Sequence, residues 1–251
     1  MQRSPGPIER LKRSLKRWPG AYRSIHHTYY ELLRVIETRI VGSRIHELVW
    51  KRERGMTPAE IAESLAHPHR KFLVGSIAKC APFESVLEIG CNVGSNLFLL
   101  AKQFPTAKLY GIDINSHFIE AGKKWMSKVG VTNVELTLGK ADALSQFPER
   151  SIDITFTDAT LLYVGPDRIG RAFGEMKRVT RKALLFNEWN LDGSNSSGGS
   201  LWYYLHWVHD YRRLLEDHFP GDRIRVEKLP RDLWAQGGGW EEYGALVEVD
   251  L

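Results

Sequence analysis

The run Ser85-Val-Leu-Glu-Ile-Gly90-Cys-Asn-Val-Gly94-Ser-Asn96 constrains the fold of this chain more than any other segment. Strand-forming residues stop at Gly90, a second glycine follows at Gly94, and the helical pattern of Leu97, Leu100 and Ala101 begins at once. A strand that passes so quickly into a helix must turn sharply, and glycine permits the positive φ angles such a turn needs. Both glycines also lack a Cβ, so the backbone there can lie close to a bound molecule. Units of this kind belong to parallel sheets whose helices return along the sheet faces.

The same alternation continues downstream. Strands are expected at about 85–90, 108–113, 133–138, 152–157, 183–188, 223–229 and 242–249, and helices at 94–103, 116–129, 166–178 and 200–218. Strand–helix alternation closed by two further strands predicts an α/β fold: a doubly wound, seven-stranded, mostly parallel sheet with helices on both faces. Upstream, Thr57-Pro58-Ala59-Glu60 is a helix start, with Thr57 as N-cap, Pro58 in the first turn and Glu60 closing a capping box. A further helix is expected from Pro68 to about Lys79. The polar run from Gly193 to Ser200 is a flexible loop by composition.

The N-terminal residues have another character. Ile8, Leu11, Leu15 and Trp18 share one helical face with basic residues around them, and Tyr22, Ile25, Tyr29, Leu32, Ile36 and Ile40 form an apolar seam. Residues 1–54 carry 13 Lys/Arg and 5 Asp/Glu, and the remainder carries 22 and 25, so the net +5 divides as +8 and −3. The chain thus divides into a basic helical extension, 1–54, and a main domain, 55–251. A basic amphipathic segment at 8–18 suits peripheral contact with an anionic membrane, and the seam at 22–40 suits a homo-oligomer. The negative balance of the main domain argues against nucleic acid as the partner. No apolar stretch reaches the roughly 18 residues of a membrane span, and two cysteines, Cys80 and Cys91, make no disulfide framework. The expected location is the reducing cytoplasm, peripherally at the inner membrane face.

In a doubly wound sheet, ligands bind beyond the carboxyl ends of the strands, where the strand order reverses. The spacing Gly90-x-x-x-Gly94, with Asn92 between, departs from the G-x-G-x-x-G of dinucleotide binders. Glu88-Ile-Gly90-Cys-Asn92-Val-Gly94 instead resembles the E/D-x-G-x-G-x-G motif of class I S-adenosylmethionine-dependent methyltransferases. The likeness extends over residues 68–189. It implies that Asp113, ending Leu-Tyr-Gly-Ile-Asp, binds the ribose hydroxyls and that Asp142, in Gly-Lys-Ala141-Asp142, meets the adenine amino group. Ile152-Asp-Ile-Thr-Phe-Thr-Asp158 resembles the motif beside the reacting methyl. Glu88 would orient the amino group of the cofactor, Ile114 would pack on adenine, and His67 or Arg70 would close over the carboxylate. Asn92 replaces the middle glycine, adding a side chain beside the amino-acid part of the cofactor.

The acceptor side should lie at the ends of the fourth and fifth strands and the segment after them. Asp158-Ala-Thr-Leu-Leu-Tyr163 and Asn187-Glu188-Trp189-Asn190 lead to Leu201-Trp-Tyr-Tyr-Leu-His206-Trp-Val-His209, rich in aromatics and histidine. Aromatic faces suit sugars and flat rings, and a histidine can take a hydroxyl proton near neutral pH. Asp158, His206 and His209 are therefore the catalytic candidates. Asn/Asp-Pro-Pro-Tyr, the signature of amino-nitrogen methylation, does not follow the fourth strand, and no cysteine stands there. Asp158 with Asn187 and Glu188 is too loosely spaced for a metal to be assigned. The resulting expectation is methyl transfer to a hydroxyl of a small molecule or glycan. The alternatives are a nucleic-acid or protein methyltransferase and a non-catalytic partner subunit that binds the cofactor.

Overall fold

A computed structural model describes residues 43–192, 200–203, 206–234 and 239–251. They belong to one compact unit that begins at Ser43, earlier than the boundary expected at 55. The basic segment 8–18, the seam at 22–40 and the loop at 193–199 lie outside the described residues.

Three helices precede the sheet: α1 (Arg44–Trp50), α2 (Pro58–Ala66) and α3 (Pro68–Ala78). The capping box read from the sequence starts α2. Thr57 N–H donates to Glu60 Oε2 at 2.7 Å, and Glu60 N–H donates to Thr57 Oγ1 at 3.3 Å. The alternating part follows as β1 (Ser85–Ile89), α4 (Ser95–Gln103), β2 (Lys108–Asp113), α5 (Ser116–Lys128), β3 (Val134–Leu138), β4 (Ile152–Asp158), α6 (Ile169–Val179) and β5 (Thr180–Trp189). After β5 come β6 (Ser200–Tyr203), β7 (His206–His209), α7 (Tyr211–His218), β8 (Arg223–Lys228), α8 (Gly239–Tyr243) and β9 (Gly244–Asp250).

Seven strands form one sheet in the order β3-β2-β1-β4-β5-β9-β8. The pairs from β3 to β5 are parallel, and β9 lies antiparallel to both β5 and β8. The order reverses between β1 and β4, which places a crevice at their carboxyl ends. Helices cover both faces. One core layer holds Phe147, Phe173, Tyr211 and Phe219, and the other holds Leu73, Ile77, Leu97 and Leu100. Covered on both sides, β1 is buried along its whole length, which is why it reads as an apolar run. Glu88, only 2% exposed, is its one charged residue.

The helix expected over 200–218 is corrected. Residues Ser200–Tyr203 and His206–His209 pair as an antiparallel two-stranded sheet, and only Tyr211–His218 is helical. Aromatic and β-branched residues fill 201–209 and favour extended backbone. Asp210, whose side chain accepts Arg213 N–H at 3.2 Å, caps the real start of α7.

Candidate active site

The turn after β1 is built from three left-handed residues: Gly90 at φ 76°, Asn92 at φ 53° and Gly94 at φ 84°. A Cβ on Gly90 would lie 2.1 Å from Thr160 Oγ1, so the segment after β4 packs directly on the turn. Asn92 holds its unusual conformation because asparagine tolerates that region and bonds locally: its Oδ1 accepts Val93 N–H at 2.8 Å. The departure from the middle glycine of the motif is thereby accommodated. Asn92 N–H then donates to Asp113 Oδ2 at 2.9 Å, and Asn115 N–H donates to Oδ1 at 2.9 Å. Burial raises the pKa of Asp113 even against these donors. Each carboxylate oxygen retains capacity for a further donor, which suits a pair of neighbouring hydroxyls.

A cavity of about 360 Å³ runs along the carboxyl edge of the sheet. Glu88, Gly90, Asn92, Asp113, Ile114, Ala141, Asp142 and Asp158 line it. Gly94 stands behind the wall as the N-cap residue of α4. Glu88 accepts Asn96 Nδ2–H on Oε1 at 2.6 Å, while its buried Oε2 has no hydrogen-bond partner. Burial pushes its pKa up to about 8. An unpartnered carboxyl oxygen on a cavity wall fits an ammonium group, and S-adenosylmethionine carries one at the end of its methionine arm, beyond the sulfonium from the ribose.

Asp158 is held from all sides. It accepts from His69 Nε2 at 3.0 Å, Asn96 Nδ2 at 3.0 Å and Asn187 Nδ2 at 2.7 Å, with Arg70 Nη1 at 3.5 Å. Burial acts to raise its pKa, but His69, Arg70 and Asn96 hold it below the ordinary carboxylate range. Such a carboxylate orients and stabilises a neighbour and does not itself take a proton. The neighbour is His69, 5% exposed and on the cavity wall. An ionised carboxylate only accepts, so His69 Nε2 carries the hydrogen of this bond. Sequence reasoning did not single out His69. The available signal was topological: α3 leads into the start of β1, which brings its first turn, His67-Pro-His69-Arg70, to the carboxyl edge.

Around His69, Trp234 stacks at 4.4 Å and 22°, and His67 Nδ1 meets His69 Nδ1 at 2.5 Å. Burial, then His69 and Arg70, lower the pKa of His67. Arg70 donates to Ser64 O, Ser64 Oγ and Asn96 Oδ1, which ties the α2–α3 junction to the glycine turn. The two expected histidines are placed elsewhere. His206 lies between Tyr163 and Trp189, with ring centroids at 5.1 and 4.9 Å, outside the cavity walls. His209 is fully buried; its Nε2–H donates to Val164 O at 2.9 Å and its Nδ1 accepts the Ser200 hydroxyl at 2.7 Å. Burial pushes its pKa down to about 4, so it is a neutral pin between β6, β7 and the turn after β4.

Glu188 is occupied as well. It accepts the backbone N–H groups of Thr160, Leu161 and Leu162 at 2.8, 2.9 and 3.2 Å, and burial pushes its pKa up to about 7. With Asn187 on Asp158, the three polar residues that loosely suggested a metal all have protein partners. Among the described residues no group of three or more His, Cys, Asp or Glu is arranged to hold a metal ion.

The roof of the cavity was not legible in the sequence. Helix α1, assigned there to the extension, contributes His46, Glu47 and Trp50 to the walls. Arg168 and Lys140 pair with Glu47 at 2.7 and 2.5 Å, and Asn115 Nδ2 donates to Trp50 O and Glu53 O at 2.6 and 2.9 Å. Ser43 Oγ–H donates to Asp167 Oδ1 at 2.6 Å. Trp50 meets Tyr163 edge-on at 5.0 Å, so flat rings wall the space near Asp158.

Residues 86–183 match a family model described as a methyltransferase domain. Malonyl-[acyl-carrier protein] O-methyltransferase of Priestia megaterium is 40% identical over 76 residues, 30% of this chain and 26% of that protein. Protein-L-isoaspartate O-methyltransferase of Pyrococcus horikoshii is 27% identical over 128 residues, 51% of this chain and 55% of that protein. The chain thus spans about a quarter to about half of the length of these curated relatives. Among solved structures, phosphoethanolamine N-methyltransferase 1 of Haemonchus contortus, in complex with phosphoethanolamine and S-adenosylhomocysteine, superposes with a TM-score of 0.59. Identity is 16%, over 83% of this chain and 48% of that one, a likeness of fold. The matched segment begins in β1 and ends in β5, spanning the edge on which the glycine turn and Asp113 stand, so over these strands the chain is similar to methyltransferase domains.

Proposed function

We propose that the protein transfers the methyl group of S-adenosylmethionine to a hydroxyl of a small molecule or glycan. The observation that carries this reading is the His69–Asp158 pair on the cavity wall at the end of β4. The cofactor supplies an electrophilic methyl on a positively charged sulfur. Glu88 Oε2 suits its amino group and Asp113 its ribose, with Ile114 and Asp142 further along the same wall. An acceptor hydroxyl is a weak nucleophile until its proton is taken. With His69 Nε2 committed to Asp158, Nδ1 is the atom that takes the proton, and the hydroxyl competes with His67 for it. The oxygen–methyl bond forms as the sulfur–methyl bond breaks, the proton moves to His69, and ionised Asp158 stabilises the imidazolium. Trp50, Tyr163 and Trp234 offer ring faces that suit a sugar or a flat acceptor.

The test is methyl-labelled S-adenosylmethionine incubated with the protein and a fractionated small-molecule and glycan extract. Product analysis should find an O-methyl ether, and a methyl ester, which needs no proton removed, would count against the role of His69. His69→Gln should lower kcat about 100-fold or more with the affinity for S-adenosylhomocysteine unchanged. Label appearing on nitrogen, nucleic acid or protein, or an unaffected His69→Gln enzyme, would overturn the proposal.

A further inference from the structure

Helix α1 carries two exposed apolar side chains on the side turned away from the cavity. At about 100° per residue, His46, Glu47 and Trp50 fall on one side, and these residues line the cavity. Ile45, Leu48 and Val49 fall on the opposite side, together with Arg44 and Arg52. Leu48 is 54% exposed and Val49 53%, two of the four large apolar side chains that stand out from the described surface. A soluble helix normally turns its apolar residues inward and its charged ones out. Here Leu48 and Val49 stand exposed beside Arg44 and Arg52 while His46, Glu47 and Trp50 face the site, so the outward face combines exposed apolar side chains with cations.

We infer that this face of α1 is a docking surface for an anionic phospholipid bilayer. Three observations support a lipid surface over other occupants. The apolar residues are flanked by the exposed cations Arg44 and Arg52, the combination that lets apolar side chains enter the headgroup region while cations meet lipid phosphates. The region they stand in is the positive part of the chain, with 13 Lys/Arg against 5 Asp/Glu over residues 1–54, whereas the rest is net negative. The apolar patch is also small: a stable interface between two copies needs about 800 Å² from each partner, far more than a few side chains of one short helix supply. A nucleic acid would match the cations but would have no use for Leu48 and Val49. On this reading the bilayer lies against the roof of the active-site cavity, because the inner face of the same helix is that roof. The inference does not depend on which acceptor is methylated.

The experiment uses the full chain and sedimented vesicles of phosphatidylcholine alone or mixed with phosphatidylglycerol. The protein should bind the mixed vesicles, should bind the neutral ones weakly, and should release as salt rises. Leu48→Asp combined with Val49→Asp should lower partitioning roughly tenfold, and so should Arg44→Glu combined with Arg52→Glu. Neither pair touches the cavity, so affinity for S-adenosylhomocysteine should stay that of the parent, which also reports that the variants fold. Leu48→Ser serves as the milder variant should the double one fail that control. Equal binding of parent and variants to the mixed vesicles would overturn the inference. So would an absence of vesicle binding, a dimer lost on substitution, or duplex DNA binding weakened by Leu48→Asp.

Discussion

Glu88→Gln should stabilise the cofactor-free protein while weakening its hold on the cofactor. The unfolded chain ionises Glu88 near 4.5, whereas burial holds the folded carboxyl protonated up to about 8. Between these values the folded state binds more protons than the unfolded one, so this group costs stability as pH rises. At 1.36 kcal/mol per pH unit the cost is about 3 kcal/mol at pH 7 and about 5 kcal/mol above pH 8. Below pH 4.5 it vanishes. Glutamine keeps the shape and still accepts from Asn96, but its amide lacks a partner where Oε2 stands, at a cost of about 1–2 kcal/mol. The variant should therefore gain about 1–2 kcal/mol at pH 7, more at pH 8.5, and nothing at pH 5. Urea denaturation of both proteins at these three pH values measures the gap. A gap that does not change with pH would refute the reasoning. If Glu88 meets the cofactor's ammonium, the parent also releases a proton on binding near pH 7, visible by calorimetry in buffers of different ionisation enthalpy. Glu88→Gln should lose that release and bind about 10–100-fold more weakly.

If Asp113 holds the ribose, Asp113→Ala should weaken S-adenosylhomocysteine binding about tenfold or more, because the same carboxylate also anchors the glycine turn. Titration calorimetry checks this, and unchanged affinity would count against the ribose assignment. His209, pushed down to about 4 by burial, binds fewer protons folded than unfolded between that value and 6.5. Its contribution is therefore intact above pH 6.5 and lost as pH falls, by about 3 kcal/mol at pH 4. His209→Gln should flatten that part of the acid-denaturation profile without altering the pH dependence of kcat. A shifted kcat profile would mean that the ring does take part in the chemistry.

Much of the sheet was legible because its evidence is local. Parallel strands covered on both faces read as apolar runs, as Val86–Ile89 does, and Thr57 with Glu60 announces α2 by capping chemistry that spans four residues. The error at 200–209 is also a local one. The aromatic-rich run has strand-favouring composition and pairs as a hairpin, and Asp210 marks the later helix start. His69 and α1 were different. Neither carries a motif, and each gains its place only when distant segments meet: His69 with Asp158, and Glu47 with Lys140 and Arg168.

By itself the sequence determined the doubly wound sheet, the glycine turn with Glu88 before it, and the two aspartates on the following strand ends. Periodicity, turn chemistry and motif spacing act over a few residues and survive in one dimension. The tertiary structure alone decided which groups line the cavity. It placed His209 inside the protein with both ring nitrogens engaged, set His69 on the wall against Asp158, and closed the cavity with a helix from the basic N-terminal region. Burial and hydrogen-bond partners determine whether a carboxylate or an imidazole orients, takes a proton or only packs, and those are properties of segments that meet in space.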